Sequence, residues 1–409
     1  MKAGPLSRAE LLLARVRSPP AHELVPQRRP EPRGALKTAA AAVLGPASFA
    51  IRQLRDAFGG PGALDGRTTR TIAVVKLDHL GDVVMFTPVF RALRRWAPAA
   101  RITAYVRSAN ADVVGRLPTV DEVETADVPW IRPEPGSAEN LRACLALARR
   151  LRDRRFDLAV DLRYHNRLDS LLLSRCGARF RLGFDAGGFG FGVTHAAPWP
   201  RAGTHEAERQ AAALRRFGIP VEDLHPEFPL GKADRAAAAK RLGAVRRFAA
   251  FHVGTGNAIK RWMPERFAWV GRELARRARL PVAVLAGPGE EALGDPIVRA
   301  LPKASCLDLR GRLGVFELAA VLERAALFVG NDGGPGHLAA AVGTPAVIVF
   351  SGTNEAAEWA PAGAKVRVLE HRVPCKPCAS TTCPFDQACL RGVTVDEVLR
   401  AALETLGGG

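Results

Sequence analysis

A glycine-rich polar stretch, Asn331-Asp-Gly-Gly-Pro-Gly-His337, follows the apolar run Leu327-Phe-Val-Gly330. Glycines let backbone amides approach an anion closely, and the helix-forming residues that come next would add the partial positive charge of a helix N-terminus. His337 could donate a hydrogen bond to a phosphate oxygen, and Asp332 could accept hydrogen bonds from ribose hydroxyls or stabilise the loop. The pattern predicts a pyrophosphate site that uses the amides of residues 333–336. An ordinary tight turn with a capping aspartate is the alternative.

A second loop with phosphate-binding chemistry follows the apolar run Phe248–Val253. Gly254-Thr-Gly256 offers a hydroxyl on Thr255, and Lys260 supplies a mobile positive charge just before a predicted helix. Such a charge stabilises a diphosphate leaving group as negative charge accumulates on it. We therefore assign Thr255, Gly256 and Lys260 to donor binding, with a merely solvated Lys260 as the alternative.

A third candidate lies near the start of the regular pattern, in Lys76-Leu-Asp-His-Leu-Gly-Asp82. Here a predicted strand ends and a predicted helix begins, so Asp82 falls in the first helical turn. Its carboxylate could act as the general base for an acceptor hydroxyl. A carboxylate that only stabilises the helix N-terminus would look the same, and spacing does not separate the two interpretations.

Strands and helices alternate along the chain around these loops, which predicts parallel sheets covered on both faces. The pattern starts again after a proline-containing stretch near His225. The sequence therefore predicts an α/β fold with two doubly wound Rossmann-like domains facing a cleft, residues 69–228 and 229–409, after a basic Ala/Pro-rich extension, residues 1–68. Ligands of such sheets bind at the carboxyl ends of the strands. Predicted strands are residues 71–76, 101–106, 157–162, 248–253, 282–286, 327–330 and 346–350; predicted helices are residues 80–96, 138–154, 264–279, 290–301, 316–324 and 338–342.

The composition is that of a soluble globular protein, with 47% hydrophobic and 24% charged residues among 409. The net charge of +18 predicts anionic partners, or else reflects an arginine-rich genome. No aromatic-plus-basic motif accompanies it, so we expect no nucleic-acid partner. No apolar run is long enough to span a membrane and no signal peptide is evident, so we expect a cytoplasmic protein. The stretch Ala35–Phe58 is either an amphipathic helix on a membrane surface or a flexible extension.

Together the three loops resemble glycosyltransferase family 9, the ADP-heptose:lipopolysaccharide heptosyltransferases, from about Thr71 onward. The resemblance implies a GT-B architecture and an inverting, metal-independent transfer of heptose from ADP-heptose, with no cofactor required. It also implies an anionic glycolipid acceptor, such as a lipopolysaccharide core, and a peripheral location on the cytoplasmic face of the inner membrane. The motifs that carry it are Gly81-Asp82, Thr87-Pro88, Lys260-Arg-Trp-x-Pro-Glu-Arg-Phe267, Asp332-x-Gly-Pro-x-His337 and Gly343-Thr-Pro345.

The resemblance places the catalytic base on Asp82 and the phosphate-binding lysine on Lys260. Two residues of this chain depart from the family pattern: Gly333 stands where Thr is usual, and Gly336 replaces a larger apolar residue. Both changes loosen the loop, and they leave open which sugar nucleotide is the donor. The resemblance assigns Lys76, Thr255, Lys260, Glu290, Asp332 and His337 to the donor site. The glycine pattern of the two loops adds Gly256, Gly333 and Gly334 to the predicted donor-binding residues.

Two further groups of residues are candidates for binding. His165 and Arg167 could contact an anionic acceptor, although the polarity of an exposed loop explains them equally well. Four thiols near the end of the chain have the spacing C-x2-C-x4-C-x5-C, which in a reducing compartment indicates a structural zinc more readily than disulfides. Unbound or redox-sensitive thiols are the alternative. These thiols belong to Cys375, Cys378, Cys383 and Cys389.

Three other functions fit parts of the sequence. The same fold could transfer a different sugar to another acceptor, or could bind a nucleotide sugar without catalysis. An NAD-dependent oxidoreductase is a weaker alternative, which rests on the G-x-G-x-x-A match Gly287-Pro-Gly-Glu-Glu-Ala292 with Asp308 further along the chain.

Overall fold

The computed structural model describes residues 62–128, 138–163, 167–185, 190–378 and 380–407. Most of the predicted extension, and the predicted acceptor residue His165, lie outside these ranges. The described residues form two compact units, an N-terminal unit up to Pro229 and a C-terminal unit from Leu230. Within the described ranges, no helix is long and apolar enough to cross a membrane.

The N-terminal unit is built on a six-stranded sheet with the order β3-β2-β1-β4-β5-β6, in which every neighbouring pair is parallel. The chain first adds strands on one side of β1 and then on the other, so the topological switch point lies between β1 and β4. The strands are β1 (Thr71–Lys76), β2 (Arg101–Val106), β3 (Glu122–Thr125), β4 (Leu158–Asp161), β5 (Phe180–Asp185) and β6 (His195–Pro198).

Helices cover both faces of this sheet. Alternate residues of β1 enter different cores: Ile72 and Val74 pack in one hydrophobic cluster, and Ala73 and Val75 pack in the other. A strand that is buried on both sides has no polar face, which explains its continuous apolar run. The helices are α1 (Leu80–Trp96), α2 (Ala111–Gly115), α3 (Ala138–Arg154), α4 (Arg167–Arg175) and α5 (Glu206–Arg216).

The C-terminal unit repeats this topology. Its six parallel strands have the order β12-β11-β10-β7-β8-β9, so the switch point lies between β7 and β10. The strands are β7 (Ala249–His252), β8 (Val282–Leu285), β9 (Cys306–Asp308), β10 (Leu327–Asn331), β11 (Ala346–Phe350) and β12 (Val366–Glu370). The helices are α6 (Lys232–Leu242), α7 (Pro264–Arg277), α8 (Asp295–Ala300), α9 (Val315–Glu323), α10 (Gly334–Ala341), α11 (Ala356–Trp359), α12 (Ala388–Arg391) and α13 (Val395–Gly407).

The predicted α/β fold with two parallel sheets is confirmed. One predicted helix, residues 290–301, is wrong as a single element. The segment forms a 3₁₀ turn, Glu291–Gly294, and α8 begins only at Asp295. Pro296 explains the break, because proline is tolerated in the first turn of a helix but not in its interior.

Candidate active site

The carboxyl end of β1 holds a buried lysine and two aspartates. Lys76 Nζ lies 2.8 Å from Asp78 Oδ2, and the Lys76 side chain is only 3% exposed. The same Nζ lies 5.1 Å from the ring centroid of Phe86. The amide of Asn110 donates to the carbonyl of Asp78 at 2.9 Å, which fixes the turn between β1 and α1. These residues flank the switch point of the N-terminal sheet, where a ligand is expected.

Asp82 lies in the first turn of α1 and is partly buried. Burial raises the pKa of Asp82 to about 6, and the charges of Asp78 and Glu206 act in the same direction. The charge of Lys76 and the backbone amide of His79 act to lower this pKa. The carboxylate is therefore ionised at neutral pH but more basic than an exposed aspartate, which are the two properties a general base requires.

Glu206 is a charged residue of this region that the sequence reasoning missed. It begins α5, is buried, and accepts a hydrogen bond from Gln210 Nε2 at 2.9 Å through Oε1. Its charge acts on both Lys76 and Asp82. The local sequence offers two similar glutamates, Glu206 and Glu208, in the first turn of α5, and only the packing of the unit distinguishes them.

A second buried charge network lies after β4, on the other side of the switch point. Arg163 binds the Asp161 carboxylate through Nε at 3.0 Å and through Nη2 at 2.7 Å, and Nη2 also lies 2.6 Å from Asp169 Oδ1. The network ties the end of β4 to the first turn of α4. The acceptor roles of His165, which lies outside the described residues, and of Arg167, the first residue of α4, stay predictions.

In the C-terminal unit, the two predicted donor loops meet at the switch point between β7 and β10. Lys260 Nζ, from the loop after β7, lies 2.7 Å from Asp332 Oδ2, which follows β10. Asp332 is 4% exposed, and the amide of Asn354 also donates to its Oδ2 at 3.0 Å. The structure therefore brings the predicted phosphate-binding lysine and the predicted donor-loop aspartate together.

Glu290 braces the first of these loops. Its Oε1 accepts from the backbone amide of Thr255 at 3.1 Å and from Arg261 Nη2 at 2.8 Å. Arg261 Nη2 also donates to the Thr255 carbonyl at 2.9 Å. A side chain on Gly254 would place its Cβ 1.8 Å from Glu290 Oε2, so any larger residue there would displace the Glu290 carboxylate from this position. Glu290 holds Thr255 in place, and its direct contact with a donor stays a prediction.

Fewer residues of the segment from Asn331 to His337 form a loop than the sequence predicts. Asn331 is the last residue of β10 and is buried; its side chain accepts from the Trp262 amide at 2.9 Å. Helix α10 begins at Gly334 and includes a buried His337. The α10 start, rather than a seven-residue loop, forms this part of the site.

This earlier helix start changes which amides can bind a phosphate. The amide of Gly336 donates to the Gly333 carbonyl at 3.0 Å, and Pro335 has no N–H. The prediction that all amides of residues 333–336 serve an anion is therefore wrong. Gly333 and Gly334 remain as the candidate donors at the N-terminus of α10.

The four clustered cysteines lie between β12 and the end of α12. Burial raises the pKa of the Cys375 thiol, and the other three thiols add to this effect, so the four share one region. Four sulfur donors suit zinc chemically. In the part of the chain that the structure describes, however, no three Cys, His, Asp or Glu side chains are placed to hold a metal ion. The zinc site at Cys375, Cys378, Cys383 and Cys389 stays a prediction.

The glycine fingerprint after β8 does not form a dinucleotide site. The segment that follows Gly287–Gly289 is the 3₁₀ turn Glu291–Gly294 rather than the start of a long helix. Asp308, the candidate ribose ligand, is bonded to Arg310 Nε at 2.8 Å. The switch point of this sheet lies between β7 and β10, and strand β8 is one strand removed from it. The geometry therefore does not support an oxidoreductase.

Comparison with known proteins defines the class of this protein. Residues 144–389 match the model of glycosyltransferase family 9 (heptosyltransferase). Lipopolysaccharide heptosyltransferase 3 of Escherichia coli (strain K12) is 27% identical over 287 residues, which cover 67% of this chain and 80% of that protein. The chain belongs to glycosyltransferase family 9, and it is a glycosyltransferase of the heptosyl type.

Solved structures agree with this assignment at the level of the fold. The family 9 glycosyltransferase from Veillonella parvula DSM 2008 matches with a TM-score of 0.70 and 22% identity, over 85% of this chain and 99% of that one. The ADP-heptose lps heptosyltransferase II of E. coli matches with a TM-score of 0.66 and 19% identity, over 83% and 99% of the two chains.

Proposed function

We propose that the protein transfers a heptose from ADP-heptose to a lipopolysaccharide core or a related anionic glycolipid, with inversion and without a metal ion. The names of the E. coli relatives support this donor and this acceptor. The observation that carries the proposal is the partly buried Asp82 beside Lys76, with a pKa raised to about 6. That carboxylate sits at the switch point of its sheet and has the basicity of a general base.

In the proposed reaction, Asp82 takes the proton of an acceptor hydroxyl as the hydroxyl oxygen attacks the anomeric carbon. The new carbon–oxygen bond forms on the face opposite the diphosphate, and the bond between the anomeric carbon and the ADP oxygen breaks. Attack and departure on opposite faces invert the anomeric configuration. Lys76 stays protonated throughout, because Asp78, Asp82 and Glu206 raise its pKa against the opposing effect of burial.

The C-terminal unit binds the donor in this proposal. Lys260 stabilises the negative charge of departing ADP, and the amides of Gly333 and Gly334 add hydrogen bonds at the positive end of α10. Thr255 and His337 supply further polar contacts to the diphosphate. A lysine that neutralises the leaving group removes the need for a divalent cation, which is the physical basis for metal independence.

The acceptor of the proposed reaction is carried by the membrane. An excess of 18 positive charges favours the anionic cytoplasmic surface of the inner membrane, where the protein would bind peripherally from the cytoplasm. Transfer of a different sugar to a different acceptor by the same fold is the second candidate function. It is favoured by Gly333, which leaves the donor site without the hydroxyl that is usual in the family.

A donor and acceptor screen tests the proposal. Purified protein is offered ADP-heptose, ADP-glucose, UDP-glucose and GDP-mannose together with lipopolysaccharide core that lacks heptose, with and without EDTA. We expect the acceptor to gain the mass of one heptose only with ADP-heptose, and at the same rate with and without EDTA. The NMR signal of the anomeric proton should show that the product has the opposite anomeric configuration to the donor. Product from another sugar nucleotide alone would support the second candidate, and loss of activity with EDTA would contradict metal independence.

A further inference from the structure

The loop after β7, residues 254–261, is held at both ends by a buried side chain from another strand. Asn331, the last residue of β10, is 4% exposed. Its Nδ2 donates to the carbonyl of Val253 at 2.8 Å, and its Oδ1 accepts from the backbone amide of Trp262 at 2.9 Å. Val253 directly precedes the loop, and Trp262 directly follows it. The side chain of Asn331 therefore ties the two ends of this loop to the carboxyl end of β10.

The chemistry of these two contacts fits asparagine. One partner is a carbonyl and the other is an N–H group, so the side chain must present a donor to Val253 and an acceptor to Trp262 at the same time. An ionised aspartate has no donor for the carbonyl, and a leucine has neither group. Buried backbone groups that lose their partners cost free energy, because water does not replace those partners. The amide of Asn331 is thus matched to both ends of the loop.

The second end of the loop is also anchored in the core. Trp262 is completely buried, and its Nε1 donates to the carbonyl of Val393 at 3.1 Å. Its ring packs edge-on against Phe267, with the ring centroids 4.9 Å apart. The core thus fixes the Trp262 ring, and Asn331 fixes the Trp262 backbone amide. Together these contacts set the direction in which the chain runs back to Lys260.

Lys260 stands two residues before the amide that Asn331 holds. Its Nζ lies 2.7 Å from Oδ2 of Asp332, the residue that directly follows Asn331. Two consecutive residues at the end of β10 thus hold the same loop, Asn331 through the backbone of Trp262 and Asp332 through the side chain of Lys260. A shift of the backbone at Trp262 would move Lys260 relative to Asp332 and to the N-terminus of α10.

We propose that Asn331 is a positioning residue for the donor diphosphate: its two hydrogen bonds to the backbone hold the loop so that Lys260 meets the diphosphate at the N-terminus of α10. The inference rests on the proposed role of Lys260 in neutralising departing ADP. Asn331 opens the segment that the sequence predicts to bind phosphate, but it acts through the neighbouring loop and not by contact with the donor. A lysine on a fixed backbone loses less conformational entropy when the phosphates bind.

A double-mutant cycle on ADP affinity tests the proposal. Asn331→Ala removes both hydrogen bonds and should weaken ADP binding by roughly 5- to 20-fold when Lys260 is present. In the Lys260→Met background the same change should weaken ADP binding by less than about 2-fold, because Asn331 acts through Lys260. Adenosine, which carries no phosphate, should bind Asn331→Ala and the unmodified protein alike.

Thr344→Val is the matched control. It removes another buried hydrogen bond of the same unit, from Thr344 Oγ1 to the carbonyl of Leu322 at 2.6 Å. Thr344 precedes β11 and therefore lies at the amino end of the sheet, away from the loops that follow the strands. The affinity of this variant for ADP should be that of the unmodified protein, whatever its loss of stability.

The outcomes separate this inference from the proposed role of Lys260. If Lys260→Met weakens ADP binding, then an unchanged ADP affinity in Asn331→Ala, an equal loss in both backgrounds, or an equal loss for ADP and adenosine would overturn the role of Asn331 alone. Unchanged ADP affinity in Lys260→Met would instead overturn the basis of the inference. Asn331→Ser keeps a hydroxyl and leaves a smaller cavity, so it should show the same pattern with smaller losses. It decides the question if Asn331→Ala does not fold.

Discussion

Lys260 Nζ lies 2.7 Å from Asp332 Oδ2, although the two residues come from loops after different strands. The amide of Asn354 donates to the same oxygen at 3.0 Å. Asp332 thus holds the lysine at the N-terminus of α10, beside the amides of Gly333 and Gly334. A diphosphate bound there would meet a positive charge that is already in place, so less side-chain entropy is lost on binding.

Replacement of Lys260 by Met should weaken ADP binding by roughly 10- to 100-fold, because the buried Asp332 carboxylate then faces the diphosphate without its counter-charge. Calorimetric titration with ADP measures the effect. Lys303→Met, at an exposed position in the same unit, is the control and should bind ADP like the unmodified protein. Equal affinities for the two variants would show that Lys260 does not contact the diphosphate.

The contact between Gly254 and Glu290 predicts a difference between two neighbouring glycines. A Cβ at Gly254 would lie 1.8 Å from Glu290 Oε2, whereas a Cβ at Gly256 meets no heavy atom within 4 Å. Gly254→Ala should therefore lower the free energy of unfolding by about 1–3 kcal/mol, and Gly256→Ala should change it by less than about 0.5 kcal/mol. Urea unfolding of the two variants measures this; similar losses in both would mean that Glu290 does not brace the loop.

The raised pKa of Asp82 predicts the pH dependence of the reaction. A general base must be ionised to accept a proton, and the pKa of Asp82 is about 6. Activity, measured as kcat/KM, should therefore rise as the pH increases through about 6 and reach a plateau at neutral pH. An acid limb near pH 4, the range of an exposed aspartate, would indicate that Asp82 is solvated in the free enzyme.

The same pKa shift has a consequence for stability. Folding raises the pKa of Asp82 from its ordinary value of 3.8 to about 6, so the folded protein binds this proton more tightly than the unfolded chain. This stabilising contribution is fully present below pH 3.8 and is lost as the pH rises through about 6. Asp82→Asn should therefore be about 1–2 kcal/mol more stable than the unmodified protein at pH 7.5, with no gain at acid pH.

Thermal unfolding at two pH values separates this effect from a general one. The control is Asp112→Asn, an exposed aspartate in the first turn of α2. It should show no gain at pH 7.5, because its charge interacts favourably with the helix N-terminus. A gain of equal size in both variants would mean that the stabilisation does not come from removal of a buried carboxylate.

Strong local patterns predicted much of the fold. Strands β1, β2 and β11 and helices α1 and α3 begin and end at the predicted residues, because long periodic segments and buried apolar runs give a clear signal. Strands β3, β5, β6, β9 and β12 were not predicted. Four of them, β3, β6, β9 and β12, lie at the edges of their sheets, where most side chains are exposed or only partly buried, so their composition resembles that of a loop. Strand β5 lies inside its sheet, but Arg181, Gly183 and Asp185 interrupt its apolar run.

The candidate site was predictable to the extent that it lies in local motifs. Four site residues lie at or near the ends of strands and helices that the sequence predicts: Lys76, Asp82, Lys260 and Asp332. The order of the strands in each sheet then places them at the switch points. Glu206 could not be found in this way, because its effect on Asp82 depends on how α5 packs against α1. The brace that Glu290 forms with Thr255 likewise depends on a contact between loops 35 residues apart.

The most direct test of the proposed function is single-turnover transfer by Asp82→Asn with ADP-heptose and heptose-deficient core, with donor affinity measured on the same preparation. Donor binding should be unchanged, since Lys260, Gly333 and Gly334 are intact. The rate of transfer should fall by roughly 10²- to 10⁴-fold, the usual contribution of a general base. Transfer at the unmodified rate with unchanged donor binding would contradict the assignment of Asp82 as the base.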